Sequence, residues 1–140
     1  MSLPSNYNPI HHDCENGGCW NKQYRPNIEF FYHALPRKIT MSDIDGVVEV
    51  NGSVLFLEWK SHAGELPTGQ RILAERLTQI STKITYVVVQ HDPGNPMAVE
   101  SVKVAYAGKF TDWQPCDMEG LFERVRRWAE KADIRIVRAA

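Results

Sequence analysis

The dipeptide Asn51-Gly52 restricts what this chain can become more than any other stretch. It stands between two apolar-rich runs in SDIDGVVEVNGSVLFLEWK, Ser42 to Lys60. Both residues tolerate the positive φ of a type I′ turn, whose twist matches that of flanking antiparallel strands. A two-residue loop also sets the register. Val50 faces Ser53, Asp45 faces Glu58 and Asp43 faces Lys60. Side chains alternate along a strand, so Asp43, Asp45, Glu58 and Lys60 share one face with Val47, Val54 and Phe56. The other face carries Ile44, Val48, Leu55, Leu57 and Trp59. Two largely apolar faces predict a central hairpin covered on both sides.

Directly opposite residues hold their Cβ atoms roughly 4.5–5.5 Å apart. At that separation Asp45 and Glu58 can share one divalent cation, with Lys60 beside them. A solvated charged face with cross-strand ion pairs is the alternative. It leaves unexplained why the charges accompany so many apolar residues. At the end of a covered hairpin, charges are partly desolvated and must pair or bind a cation.

Asp45, then a hairpin, then Glu58-Trp59-Lys60 resembles the PD-(D/E)xK nuclease superfamily. The stretch Gly64 to Gln70, reading GELPTGQ, is similar to the loop and helix start of its phage- and repair-type members. The likeness follows the order of elements from Glu29 to Gln90, and Ile44 stands where many members have proline. The resemblance implies a restriction-endonuclease-like core and metal-dependent hydrolysis of nucleic-acid phosphodiester bonds, with DNA the expected substrate. It implies that Asp45, Glu58 and the backbone carbonyl of Trp59 hold the metal. All-oxygen ligation suits Mg²⁺ or Mn²⁺. Lys60 would orient the attacking water and offset charge on the phosphate. Glu29, on the helix before the hairpin, occupies the place of a glutamate that helps hold metal in family members. Its other reading is a first-turn glutamate complementing the helix dipole. Gln70 matches a glutamine beside the metal site and is otherwise an exposed first-turn residue. The competing class is a non-catalytic nucleic-acid-binding or protein-docking subunit on the same fold.

Length and composition agree with a globular chain. At 140 residues the sequence is read as one domain, with residues 1–26 an irregular amino-terminal arm. No apolar run reaches membrane-spanning length and no basic-then-apolar leader opens the sequence. The expectation is therefore a cytoplasmic protein without a membrane partner, and the resemblance points to phages and mobile elements. Three cysteines do not make a disulfide framework. A net charge of −1 gives no whole-chain footprint for nucleic acid. That counts against a passive DNA coat. It counts less against a nuclease, whose acidic ligands are offset by their cation. Oligomeric state stays open, a homo-oligomer being one way for a short chain to embrace a duplex.

In the arm, His11, His12, Cys14 and Cys19 surround a Gly-Gly turn. They read either as a zinc knuckle, completed by His33 or Cys116, or as ordinary reduced cysteines in a turn. Asn27 to Leu35 reads as a short helix that Pro36 ends. A second helix is expected from Thr68 to Ile80 with Leu73, Leu77 and Ile80 as its apolar stripe. Ile84 to Gln90 reads as a buried strand and Val99 to Ala107 as one near an edge. Phe110 to Asp117 reads as irregular. Met118 to Ala132 is strongly amphipathic, and Ile134 to Arg138 is expected to add a last short strand. The predicted fold is thus α/β, a mixed central sheet of four to five strands flanked by helices on both faces. Arg71, Arg76 and Arg124 are candidates to hold nucleic acid. Arg124, Arg127 and Lys131 line one flank of the last helix, either as a solvated basic face or as phosphate contacts.

Overall fold

A computed structural model describes residues 28–139. The His11, His12, Cys14 and Cys19 cluster lies outside the described residues. Within them the chain opens with two short 3-10 segments, Ile28–Ala34 and Pro36–Lys38. The expected first helix is therefore 3-10 in character, and a second turn follows Pro36 where an end was expected.

The hairpin forms as its turn chemistry dictates. Strands β1 (Gly46–Val50) and β2 (Ser53–Lys60) pair antiparallel, Val50 opposite Ser53. Asn51 has φ 51° and Gly52 φ 86°, the double positive φ of the type I′ turn. The turn is also tied outward, because Asn51 Nδ2 donates to Asp133 Oδ1 at 2.8 Å. Helix α1 (Thr68–Ile80) follows, and then strands β3 (Ile84–Asp92) and β4 (Asn95–Tyr106). Two-residue strands β5 (Lys109–Phe110) and β6 (Gln114–Pro115) precede helix α2 (Met118–Ala139).

The sheet is mixed and open, in the order β1-β2-β3-β4-β5, with β6 also on β4. Strands β2 and β3 are parallel, which requires a crossover, and α1 supplies it. All other pairings are antiparallel. One sheet face packs Leu55, Val87, Val89 and Val102 against Leu121, Val125 and Trp128 of α2. The opposite face packs Tyr86, Val88 and Ala105 against Ala74 and Leu77 of α1. Both faces are thus covered by helices, as the apolar alternation predicts.

Several expectations are corrected. The hairpin is not central, since β1 is an edge strand on which Val47 is 60% exposed. The ladder ends at Gly46 opposite Leu57, so neither Asp45 with Glu58 nor Asp43 with Lys60 is a strand pair. The stripe of α1 is rotated. Ala74 and Thr78 are buried while Leu73 is exposed and Ile80 is 74% exposed. A helix packed over a sheet approaches closest through its small residues, so Ala74 faces inward. Residues after Ala132 continue α2 instead of forming a strand. Neither glycine nor proline follows Ala132 to stop the helix, and the β-branched residues there carry only a weak propensity against it.

Candidate functional site

Strand alternation puts Glu58 and Lys60 on the α1 face, near the carboxyl end of β2. Asp45 and Gln70 reach them from outside β2. Asp45 precedes β1, and its Oδ2 accepts the Trp59 N–H at 2.7 Å. In the antiparallel pattern that N–H would have gone to a β1 carbonyl. The carboxylate takes its place, which is why the ladder stops at Gly46. An N–H and a C=O of one strand residue point to the same edge, so the Trp59 carbonyl lies on the Asp45 side as well. The Asp45 backbone N–H in turn donates to the Glu58 carboxylate.

Gln70 comes from the first turn of α1, the third residue of the helix. Its Nε2 donates to Glu58 Oε1 at 3.4 Å, a long hydrogen bond. Its Oε1 is buried and has no hydrogen-bond partner among the described residues. Gln70 therefore leans to the sheet and not into solvent. Lys60 Nζ lies 3.8 Å from Glu58 Oε1, a loose ion pair. Asp45, Glu58, Lys60 and Gln70 thus form one cluster around the Glu58 carboxyl.

The electrostatics of that carboxyl are unfavourable. Glu58 is 9% exposed, and burial pushes its pKa above the ordinary glutamate value, with the Asp45 charge adding to the rise. Lys60 and the Asp45 N–H pull the other way without cancelling it. Beneath the pair, Tyr86 on β3 is pushed up to about 12, first by burial and then by the charges of Glu58 and Asp45. The site therefore concentrates negative potential that a cation would relieve.

The remaining expected site residues are dispersed. Glu29 falls in the Ile28–Ala34 segment, and its side chain lies outside the described set. Arg71 neighbours Gln70 in α1 but pairs with Glu75 at 2.6 Å. Arg76 is exposed on the outer side of α1. Arg124 and Arg127 belong to α2, which covers the other face of the sheet, so neither joins the Glu58 cluster. Cys116, between β6 and α2, is a free thiol.

Sequence reasoning missed the groups that continue the site across the sheet. Lys60 pairs with Gln90, and Gln90 with Ser101, whose Oγ donates to Gln90 Oε1 at 2.7 Å. Lys103, beside Val88 on the same face, holds its Nζ 5.6 Å from the Phe110 ring and 5.7 Å from the Trp113 ring. Trp113 Nε1 donates to the Gly64 carbonyl at 3.1 Å and so anchors the loop that leads to Gln70. The only sequence signal for these groups was alternation within β4, because the β2–β3 register joins segments thirty residues apart.

No family model, curated protein or solved structure matches the chain. No helix among the described residues is long and apolar enough to cross a membrane. Among the described residues no group of three or more His, Cys, Asp or Glu is placed to hold a metal ion. Any cation here would rest on two carboxylates completed by neutral oxygens and water.

Proposed function

We propose that this chain is a metal-dependent nuclease that hydrolyses phosphodiester bonds in nucleic acid, with DNA as substrate. One observation carries the reading. Asp45, Glu58 and Lys60 meet at a strand end together with a buried Gln70 oxygen that has no partner among the described residues. A restriction-endonuclease-like core belongs to the same proposal, supported by a parallel β2–β3 pair whose crossover helix delivers Gln70.

The residues fit a hard divalent cation. Two carboxylates of like charge gain from one, and a buried amide oxygen without a partner among the described residues is an acceptor awaiting one. Asp45, Glu58 and the Trp59 carbonyl would hold Mg²⁺ or Mn²⁺, with Gln70 Oε1 beside them. Mg²⁺ keeps several waters and needs few protein carboxylates, which suits a site with only two. When bound, the cation supplies Lewis-acid polarisation of the phosphoryl oxygen and a water acidified toward neutral pH. The protein does the rest. Asp45, fixed through the Trp59 N–H, cannot swing away from Glu58. Lys60 is near enough to orient a water and to face charge that builds on the phosphate. Tyr86 and Phe56, stacked at 5.7 Å, close the floor against solvent.

The test is cleavage by the purified chain of duplex DNA, single-stranded DNA and RNA with Mg²⁺ or Mn²⁺, stopped by EDTA. Lys60→Ala should keep the fold and most substrate affinity while losing ~10²–10³ in rate. Asp45→Ala should lose activity through cation affinity. Ca²⁺, with looser and longer coordination, should support binding with little turnover. Wild type and Lys60→Ala behaving alike on all three substrates would leave the docking-subunit reading in its place.

A further inference from the structure

Helix α2 does not lie flush on its sheet face. It is tied at two places, by Asn51 Nδ2 to Asp133 Oδ1 at 2.8 Å and by Arg124 Nη2 to Gln114 Oε1 at 2.8 Å. Between these ties a cleft of about 360 Å³ opens under the helix. The volume falls within the range of small-molecule sites. It lies on the opposite face from Glu58 and toward the other, amino-terminal ends of β2 and β3.

Three features define what the cleft would accept. Its floor and wall are apolar, built by Leu55, Val87, Val104, Leu121 and Trp128. One end carries the hydroxyl residues Ser53, Thr82 and Thr85. Thr85 occupies a sheet position between Leu55 and Tyr106 where an apolar residue would otherwise meet the helix. Its rim carries Arg124, Arg127 and Lys131, and no acidic side chain among the described residues lines it. Arg127 remains 70% exposed although it lies 3.4 Å from Glu123, so its guanidinium keeps donors for a second partner. Spacing along a helix puts Arg124, Arg127 and Lys131 on one side, each three or four residues from the next.

We propose that this cleft binds a compact organic anion. Its apolar body lies on the Leu55, Val87 and Trp128 surface, and its carboxylate, sulfonate or phosphate faces the α2 cations. The inference is independent of the nuclease reading, because no residue is shared with the Glu58 cluster.

The probe is 1-anilinonaphthalene-8-sulfonate, an aromatic body with one sulfonate, titrated into the full chain at neutral pH. One saturable site per chain is expected, with transfer from tryptophan emission that Trp128→Phe reduces. The double variant Arg127→Glu, Lys131→Glu should weaken binding about tenfold or more, and the uncharged parent 1-anilinonaphthalene should bind about tenfold more weakly than the sulfonate. Thr82→Trp, a change at an exposed lining position, should block the cleft without disturbing the fold, as far-UV circular dichroism and Tm would verify. Ala132→Phe serves as a second block from the helix side. Absence of saturable binding would overturn the proposal. So would binding that survives both the charge reversal and the Thr82→Trp block.

Discussion

Glu58 is the residue on which burial, charge and function collide. Its carboxyl is nearly enclosed, faces the Asp45 carboxylate, and has in return a loose ammonium at 3.8 Å, a long hydrogen bond from Gln70 and the Asp45 N–H. The folded chain therefore holds the Glu58 proton to a higher pH than the unfolded chain does. The sign follows by linkage. This group favours folding fully below the ordinary glutamate value of 4.5, and that contribution is lost as pH rises through the raised folded value. Above its raised folded value the ionised Glu58 is a burden on the cation-free protein. Glu58→Gln should then raise Tm by a few degrees at pH 7, and the gap should close as pH falls below 4.5. Thermal unfolding across a pH series measures it. Millimolar Mn²⁺ should raise Tm of the wild type and leave Glu58→Gln unmoved, since a ligand stabilises only the state that binds it. A variant that loses stability at neutral pH would mean that Lys60 and the Asp45 N–H outweigh the burial.

Each element was legible in the sequence to the extent that its determinants were local. The β1–β2 register could be read because two residues, Asn51 and Gly52, fix it, and alternation then placed Glu58 with Lys60. The boundaries of α1 followed from Pro67 and the helix formers after Thr68. Its inward face did not, because Leu73 and Ile80 look like core while Ala74 and Thr78 occupy it. The sheet rewards close approach more than apolar bulk at that position. Thr78 satisfies its hydroxyl locally, donating to the Ala74 carbonyl at 2.8 Å, and it also accepts the Gly108 N–H at 3.1 Å. Ala74→Leu should therefore destabilise by ~1–3 kcal/mol through overpacking. It should also weaken Mn²⁺ binding by lifting the turn that carries Gln70. Denaturant midpoints and metal titration separate the two effects. The exposure of β1 could not be read either. A strand with apolar residues on both faces looks central until its second neighbour is found missing.

Taken as one molecule, the chain sets an acidic cluster beside α1 and a basic-rimmed cleft under α2 on opposite faces of one sheet. Sites that share no residues across such a distance should act additively. Saturating Mn²⁺ and saturating anilinonaphthalene sulfonate should each raise the unfolding free energy, and together give the sum within about 0.5 kcal/mol. The parallel pairing of β2 with β3 has a further consequence, one of timing. Asp45 and Glu58 meet inside a hairpin, which closes in about 1–10 μs. Glu58 becomes buried only when Val54 finds Ile84 and Lys60 finds Gln90, across the whole of α1. Closing that long loop costs entropy before any contact repays it, so it should lag the hairpin. The two carboxylates thus come together early and in water, where their repulsion is weak, and are desolvated only as the crossover docks. A cation present during refolding would be captured at that late step, and the step itself would be faster for Glu58→Gln than for the wild type.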